Sequence, residues 1–224
     1  MTRILFVGNS YTFFSDLPKL FRELAEENGK EVDVSSVTKG GWSMIKYLDN
    51  GDENTEKLNA AVENAPYDVV ILQDHSIISL KNPEGFADGM KRMKEKLAGK
   101  ADRIILYQTW ARKNGNKTLA ENGWERDWMH KGVTSAYRNV AAELGAELSP
   151  VGECFYAVYE PHPEIELYDP DGSHPSYTGS SLAAVCHYHT VFGELPQKTD
   201  SLNIAPEWME IFKNTVVRVK NAIV

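Results

Sequence analysis

The chain has little cysteine, no block of basic residues and no long apolar run, and each lack closes off a class of protein. Its two cysteines, Cys154 and Cys186, are too few for a disulfide framework and stand at no metal-ligand spacing. With a net charge of −8 and no Lys/Arg-rich face, the sequence offers nothing for a phosphate backbone, so nucleic acid is not an expected partner. No apolar stretch approaches the ~20 residues that span a bilayer. The first residues run directly into a strand pattern, with no charged and apolar leader, and a cytoplasmic, non-membrane location is the expectation. Internal repeats, low-complexity tracts and dividing linkers are also missing, so residues 1–224 are read as one domain.

What is present is an ordinary globular composition, 42% apolar and 25% charged, able to bury a substantial core. Short β-branched runs alternate with longer helical patterns, as in a parallel sheet covered on both faces. Strands are expected at Arg3–Gly8, Glu31–Val37, Asp68–Gln73, Arg103–Gln108 and Glu147–Ser149. The unbroken apolar runs Val69–Leu72 and Ile104–Leu106 suit central strands buried on both sides. Helices are expected at Leu17–Asn28, Thr55–Asn64, Phe86–Leu97, Arg126–Leu144, Ser176–Phe192 and Pro206–Ile223. Trp110–Trp128 follows a central strand, is rich in Asn, Gly, Lys and Trp, and has no strand periodicity. Loops after strand C-termini build the ligand crevice of open parallel sheets, so this stretch is read as a wall of a site.

Two distant segments carry chemistry. The first strand runs into Gly8-Asn9-Ser10-Tyr11-Thr12, which puts a hydroxyl at a strand mouth. Near the other end stands Asp171-Gly172-Ser173-His174-Pro175. An Asp three residues before a His, across a glycine turn, can reach the imidazole Nδ1, fix its tautomer and stabilise the imidazolium. Pro175 favours an extended His174, aiming the ring out of the turn. A serine hydroxyl needs such a base before it attacks a carbonyl. Ser10, His174 and Asp171 are thus the expected nucleophile, base and orienting acid. The backbone amide of Ser10 and one within Lys39–Ser43, where Gly40 and Gly41 permit close approach, are expected to face the oxyanion. Gln73-Asp74-His75-Ser76 brings polar side chains to the same crevice. Tyr11, Phe13, Phe14, Trp42 and Trp110 stand at or near strand ends; most are read as core or rim aromatics, and Tyr11, Trp42 and Trp110 are the candidate platforms for a sugar ring or acyl chain. His187 and His189, without acidic or Cys partners at metal spacing, are read as structural.

Together these segments resemble the blocks of the SGNH (GDSL-type) hydrolase superfamily, over residues 3 to about 192. Gly8-Asn9-Ser10 stands for Gly-Asp-Ser; Gly41, with Gly40 its near alternative, for the second-block glycine; and Asp171-x-x-His174-Pro175 matches the last block unchanged. The third block departs. Gly-x-Asn-Asp is absent and Gln73-Asp74-His75-Ser76 takes its place, resembling the Gln-Gly-Glu-Ser variant of some carbohydrate acetylesterases; His75 falls where the oxyanion Asn would be, with the Gln73 amide as the alternative third donor. The resemblance implies a flavodoxin-like α/β/α sandwich with a five-stranded parallel sheet in the order 2-1-3-4-5. It also implies a serine esterase for short acyl groups, acetyl on carbohydrate among them, that needs no metal or organic cofactor. The rival readings are a silent carbohydrate- or metabolite-binding domain of the same fold, and an acyltransferase.

Overall fold

The computed structural model describes residues 1–48 and 52–223. Five strands, β1 (Thr2–Gly8), β2 (Val32–Thr38), β3 (Tyr67–Leu72), β4 (Ala101–Tyr107) and β5 (Glu147–Ser149), form one parallel sheet in the order β2-β1-β3-β4-β5. Each strand expected from sequence is found, shifted by at most two residues.

The period-two alternation of β1 divides the core. Ile4 and Phe6 join Val69, Ile71, Ile105 and Tyr107 on one face of the sheet. That face is covered by α2 (Leu17–Glu27), α9 (Val151–Tyr159), α10 (Tyr177–Phe192) and α11 (Pro206–Asn221). Leu5 and Val7 join Val70, Leu72 and Leu106 on the other. There the cover is α3 (Met44–Leu48), α4 (Glu53–Glu63), α6 (Pro83–Lys96) and α8 (Arg126–Leu144). Three short helices lie at the C-terminal rim: α1 (Ser10–Phe13), α5 (Ile78–Lys81) and α7 (Lys117–Asn122).

Helix ends follow the local chemistry. Gly145 takes a left-handed φ of 58° to close α8, and Ser176 caps α10 by accepting from the Gly179 N–H at 3.0 Å. No helix among the described residues is long and apolar enough to cross a membrane. Strand order reverses between β1 and β3, so both open their C-terminal ends onto the crevice where such sheets bind ligands.

Candidate active site

The turn after β1 is built so that one serine is left free. A Cβ on Gly8 would lie 2.3 Å from Thr12 Oγ1 and 2.7 Å from Gln73 Oε1, so only glycine fits. Asn9 N–H donates to Gln73 Oε1 at 2.9 Å, and Asn9 Oδ1 accepts from Tyr11 N–H at 3.1 Å, capping α1. The Thr12 and Phe13 amides turn back onto Asn9 O. Ser10 is thereby held at the first position of α1, and its own N–H has no acceptor among the described residues.

The second turn arrives from beyond β5. Asp171 Oδ1 accepts from the Ser173 and His174 amides, both at 2.9 Å, while Gly172 takes a left-handed φ of 64°. Asp171 Oδ2 lies 2.5 Å from His174 Nδ1, and His174 Nε2 lies 2.9 Å from Ser10 Oγ. Partial burial alone would raise the Asp171 carboxyl, but hydrogen bonds from His174 and Ser173 outweigh it and hold the group below its ordinary value. An ionised carboxylate only accepts, so Nδ1 carries the proton and Nε2 presents its lone pair to the serine hydroxyl. Phe14 stacks on the imidazole, ring centroids 4.2 Å apart and planes at 11°. The structure brings together all three residues read as nucleophile, base and acid, from positions 10, 174 and 171.

The third block has a different job from the one read in sequence. Gln73 is fully buried; its Oε1 accepts from Asn9 N–H and from Thr12 Oγ1, and its Nε2 donates to Asp74 O. The expectation that Gln73 offers its amide to an oxyanion is therefore corrected: the carboxamide ties β3 to the nucleophile turn and never reaches the cleft. Asp74 Oδ1 accepts from Met44 N–H at 2.9 Å and His75 N–H at 2.6 Å, joining β3 to the segment after β2. Burial pushes Asp74 up to about 7. His75 is half-buried, its ring unpartnered among the described residues, and burial with Lys46 and Lys81 lowers its pKa and favours the neutral form. Gly41 has a left-handed φ of 69°, open space around its Cα, and an N–H with no acceptor among the described residues.

The aromatic expectations divide. Tyr11 is 3% exposed and Trp110 1%, so neither is a substrate platform; they stack on each other, centroids 4.5 Å apart, beneath the site. Trp42 stays half-buried at the rim, its carbonyl accepting from Asn9 Nδ2 at 2.9 Å and Lys46 lying over its ring. Exposed Phe13 stands beside Gly40.

Sequence reasoning missed Arg112. The residue is 6% exposed, its guanidinium has no carboxylate partner among the described residues, and it donates to Tyr11 Oη and, at 2.7 Å, to Ser76 Oγ. Tyr11 Oη meets Ser173 Oγ at 2.9 Å, and Trp110 Nε1 donates to Ser173 O at 3.0 Å. Burial lowers the Arg112 pKa to about 10, against the pull of Asp171 and Tyr168. Nothing in the spacing of a lone Arg after a strand marks it; only the fold shows that the cation is buried.

The chain matches no protein-family profile and no curated protein. Among solved structures it is similar to a protein assigned to the SGNH hydrolases, from Slackia heliotrinireducens, at 30% identity and a TM-score of 0.76, over 85% of this chain and 98% of that one. A DUF4886 family protein from Bacteroides uniformis shares the fold at 16% identity and a TM-score of 0.76, over 96% and 93% of the two chains. The acetyl xylan esterase AlAXEase shares it at 16% identity and a TM-score of 0.65, over 85% of this chain and 100% of that one. With the Slackia relative matched over nearly its whole length, this chain belongs to the SGNH hydrolases, a serine hydrolase of that type.

Proposed function

We propose that the chain is an esterase that removes short acyl groups, acetyl foremost, from carbohydrate. Ser10 Oγ attacks the ester carbonyl while His174 Nε2 takes its proton, and Asp171 supports the imidazolium. The N–H groups of Ser10 and Gly41, with the neutral imidazole of His75 as side-chain donor, hold the tetrahedral oxyanion. His174 then gives its proton to the leaving alcohol as the carbon–oxygen bond breaks. Water attacks the acyl-serine, its proton passes to His174, and the acid leaves with Ser10 restored. The observation that carries this reading is the relay from Ser10 Oγ through His174 to Asp171, at 2.9 and 2.5 Å.

The acyl preference is supported by the rim. Phe14 stacks on the His174 ring, exposed Phe13 leans against Phe14 with ring centroids 5.8 Å apart, and Trp42 is tied to Asn9 through its carbonyl, so aromatic side chains flank the nucleophile turn. The fold is also that of acetyl xylan esterases. A series of p-nitrophenyl acetate, butyrate and octanoate tests the reading: kcat/KM is expected to fall as the chain lengthens, and a maximum at octanoate would overturn it.

A further inference from the structure

The segment between β4 and α8 carries an aromatic feature that the hydrolytic reading does not use. Trp128, in the first turn of α8, is 51% exposed, although tryptophan is on average among the more buried side chains. It leans on Trp124, ring centroids 5.2 Å apart and planes at 34°, and Trp124 is anchored against the core beneath. Against Trp124 is a cavity of about 270 Å³ lined also by Asn114, Asn116, Leu119, Glu125 and Arg126, whose guanidinium is paired with Glu160. Drug-sized ligands need pockets of roughly 300 Å³ or more, so this one suits a single ring of a longer molecule.

Two of the polar groups around it have no partner in the protein among the described residues. The Asn114 carboxamide and the Glu125 carboxylate have no hydrogen-bond or ionic partner among the described residues, and both residues are exposed. Asn116 is already engaged, accepting from Thr118 N–H and donating to Asp171 O at 2.7 Å. Lys113 N–H donates to Gly172 O at 2.9 Å. The cavity is therefore fastened to the turn that carries Asp171 and His174.

We infer that Trp124 and Trp128, with Asn114 and Glu125, form a subsite for a neutral pyranose ring of the glycan whose ester is cut at Ser10. A pyranose has an apolar face for an indole and equatorial hydroxyls for a carboxamide and a carboxylate. Glu121, Glu125 and Asp127 are all exposed at this edge, and with the overall charge of −8 they disfavour an anionic polymer. Two indoles among polar residues are also far from the ~800 Å² that each partner gives to a stable protein interface. The subsite deepens the carbohydrate-ester reading and rests on it for the identity of its ligand.

The test is a fluorescence titration of the full-length Ser10→Ala protein with xylohexaose, cellohexaose and mannohexaose. At least one hexaose is expected to bind saturably, adding Trp128→Ala to weaken it about tenfold, and Trp128→Phe to recover part of the loss. Thermal unfolding at the temperature of the parent protein confirms that each variant is folded. Failure of all three hexaoses to bind, or equal binding by Trp128→Ala, overturns the subsite. Wild-type hydrolysis of p-nitrophenyl acetate is measured in parallel. A hexaose that binds through Trp128 without any esterase activity supports the subsite and removes only the ester reading.

Discussion

Tyr11 Oη and Ser173 Oγ lie 2.9 Å apart although 162 residues separate them in sequence. Tyr11 is the neighbour of Ser10, and Ser173 is the neighbour of His174. Joining the two flanking residues sets the distance between the hydroxyl and the imidazole without engaging either. Arg112 donates to the same phenol from below and to Ser76 beyond β3, and Tyr107 Oη donates to Tyr11 O at 3.2 Å. The segments that follow β1, β4 and α9 thus meet at one phenol.

Tyr11→Phe is expected to lower kcat more than it changes KM, because the hydroxyl positions the site and touches no substrate. It also leaves a buried guanidinium short of an acceptor, so a loss of about 1–3 kcal/mol in urea unfolding is expected. The double variant Tyr11→Phe/Arg112→Met removes the stranded cation and is expected to regain stability over Tyr11→Phe. Equal unfolding midpoints for the two would contradict this.

Asp74 gives a pH dependence of definite sign. Its folded value of about 7 lies above the ordinary carboxyl value of 3.8, so the folded state binds the extra proton between these limits. Its stabilising contribution is present below the lower value and is lost as pH rises through the upper one. Asp74→Asn keeps a neutral acceptor for Met44 and His75, so the variant is expected to gain stability relative to wild type from pH 5 to pH 8. Parallel stability curves across that range would refute the assignment.

His187 acts in the opposite sense. It is fully buried with both ring nitrogens unpartnered among the described residues, edge-on to Tyr107 and Phe6, and burial lowers it to about 3. Its contribution is present above the ordinary value of 6.5 and is lost as pH falls toward the folded value. His187→Phe is expected to flatten the loss of thermal stability between pH 6.5 and pH 4. An unchanged slope in that interval counts against it.

Gly8→Ala sets a methyl group into Thr12 Oγ1 and the Gln73 carboxamide that holds Asn9 N–H. Overpacking of this kind costs about 1–3 kcal/mol, and the nucleophile turn bears it. Turnover is expected to fall at least tenfold while circular dichroism stays native. Wild-type kcat would show that the turn does not depend on Gln73.

The sheet was legible because its strands are short, β-branched and separated by amphipathic helices. α9 was not: Val151–Tyr159 is apolar around most of its circumference and lacks a polar stripe to reveal its period. The short helices α1, α3, α5 and α7 are single turns set by caps such as Asn9 and Asn116, below the length at which periodicity speaks. Ser10, Asp171 and His174 were legible because two rigid turns hold them at fixed spacing. The choice between Gln73 and His75 and the burial of Tyr11 and Trp110 were not legible, because burial of a polar or aromatic residue at a strand end depends on neighbours distant in sequence. Gly41 fell at an open left-handed turn, as close approach requires.

Hydrolysis by this triad requires that Ser10 Oγ be the atom that reacts. The most direct measurement is mass-spectrometric location of the adduct after treatment with a p-nitrophenyl organophosphonate. One equivalent on the peptide containing Ser10, forming far more slowly in His174→Ala, is the result expected. Modification at another residue, or full wild-type esterase activity after Ser10 is blocked, would contradict it.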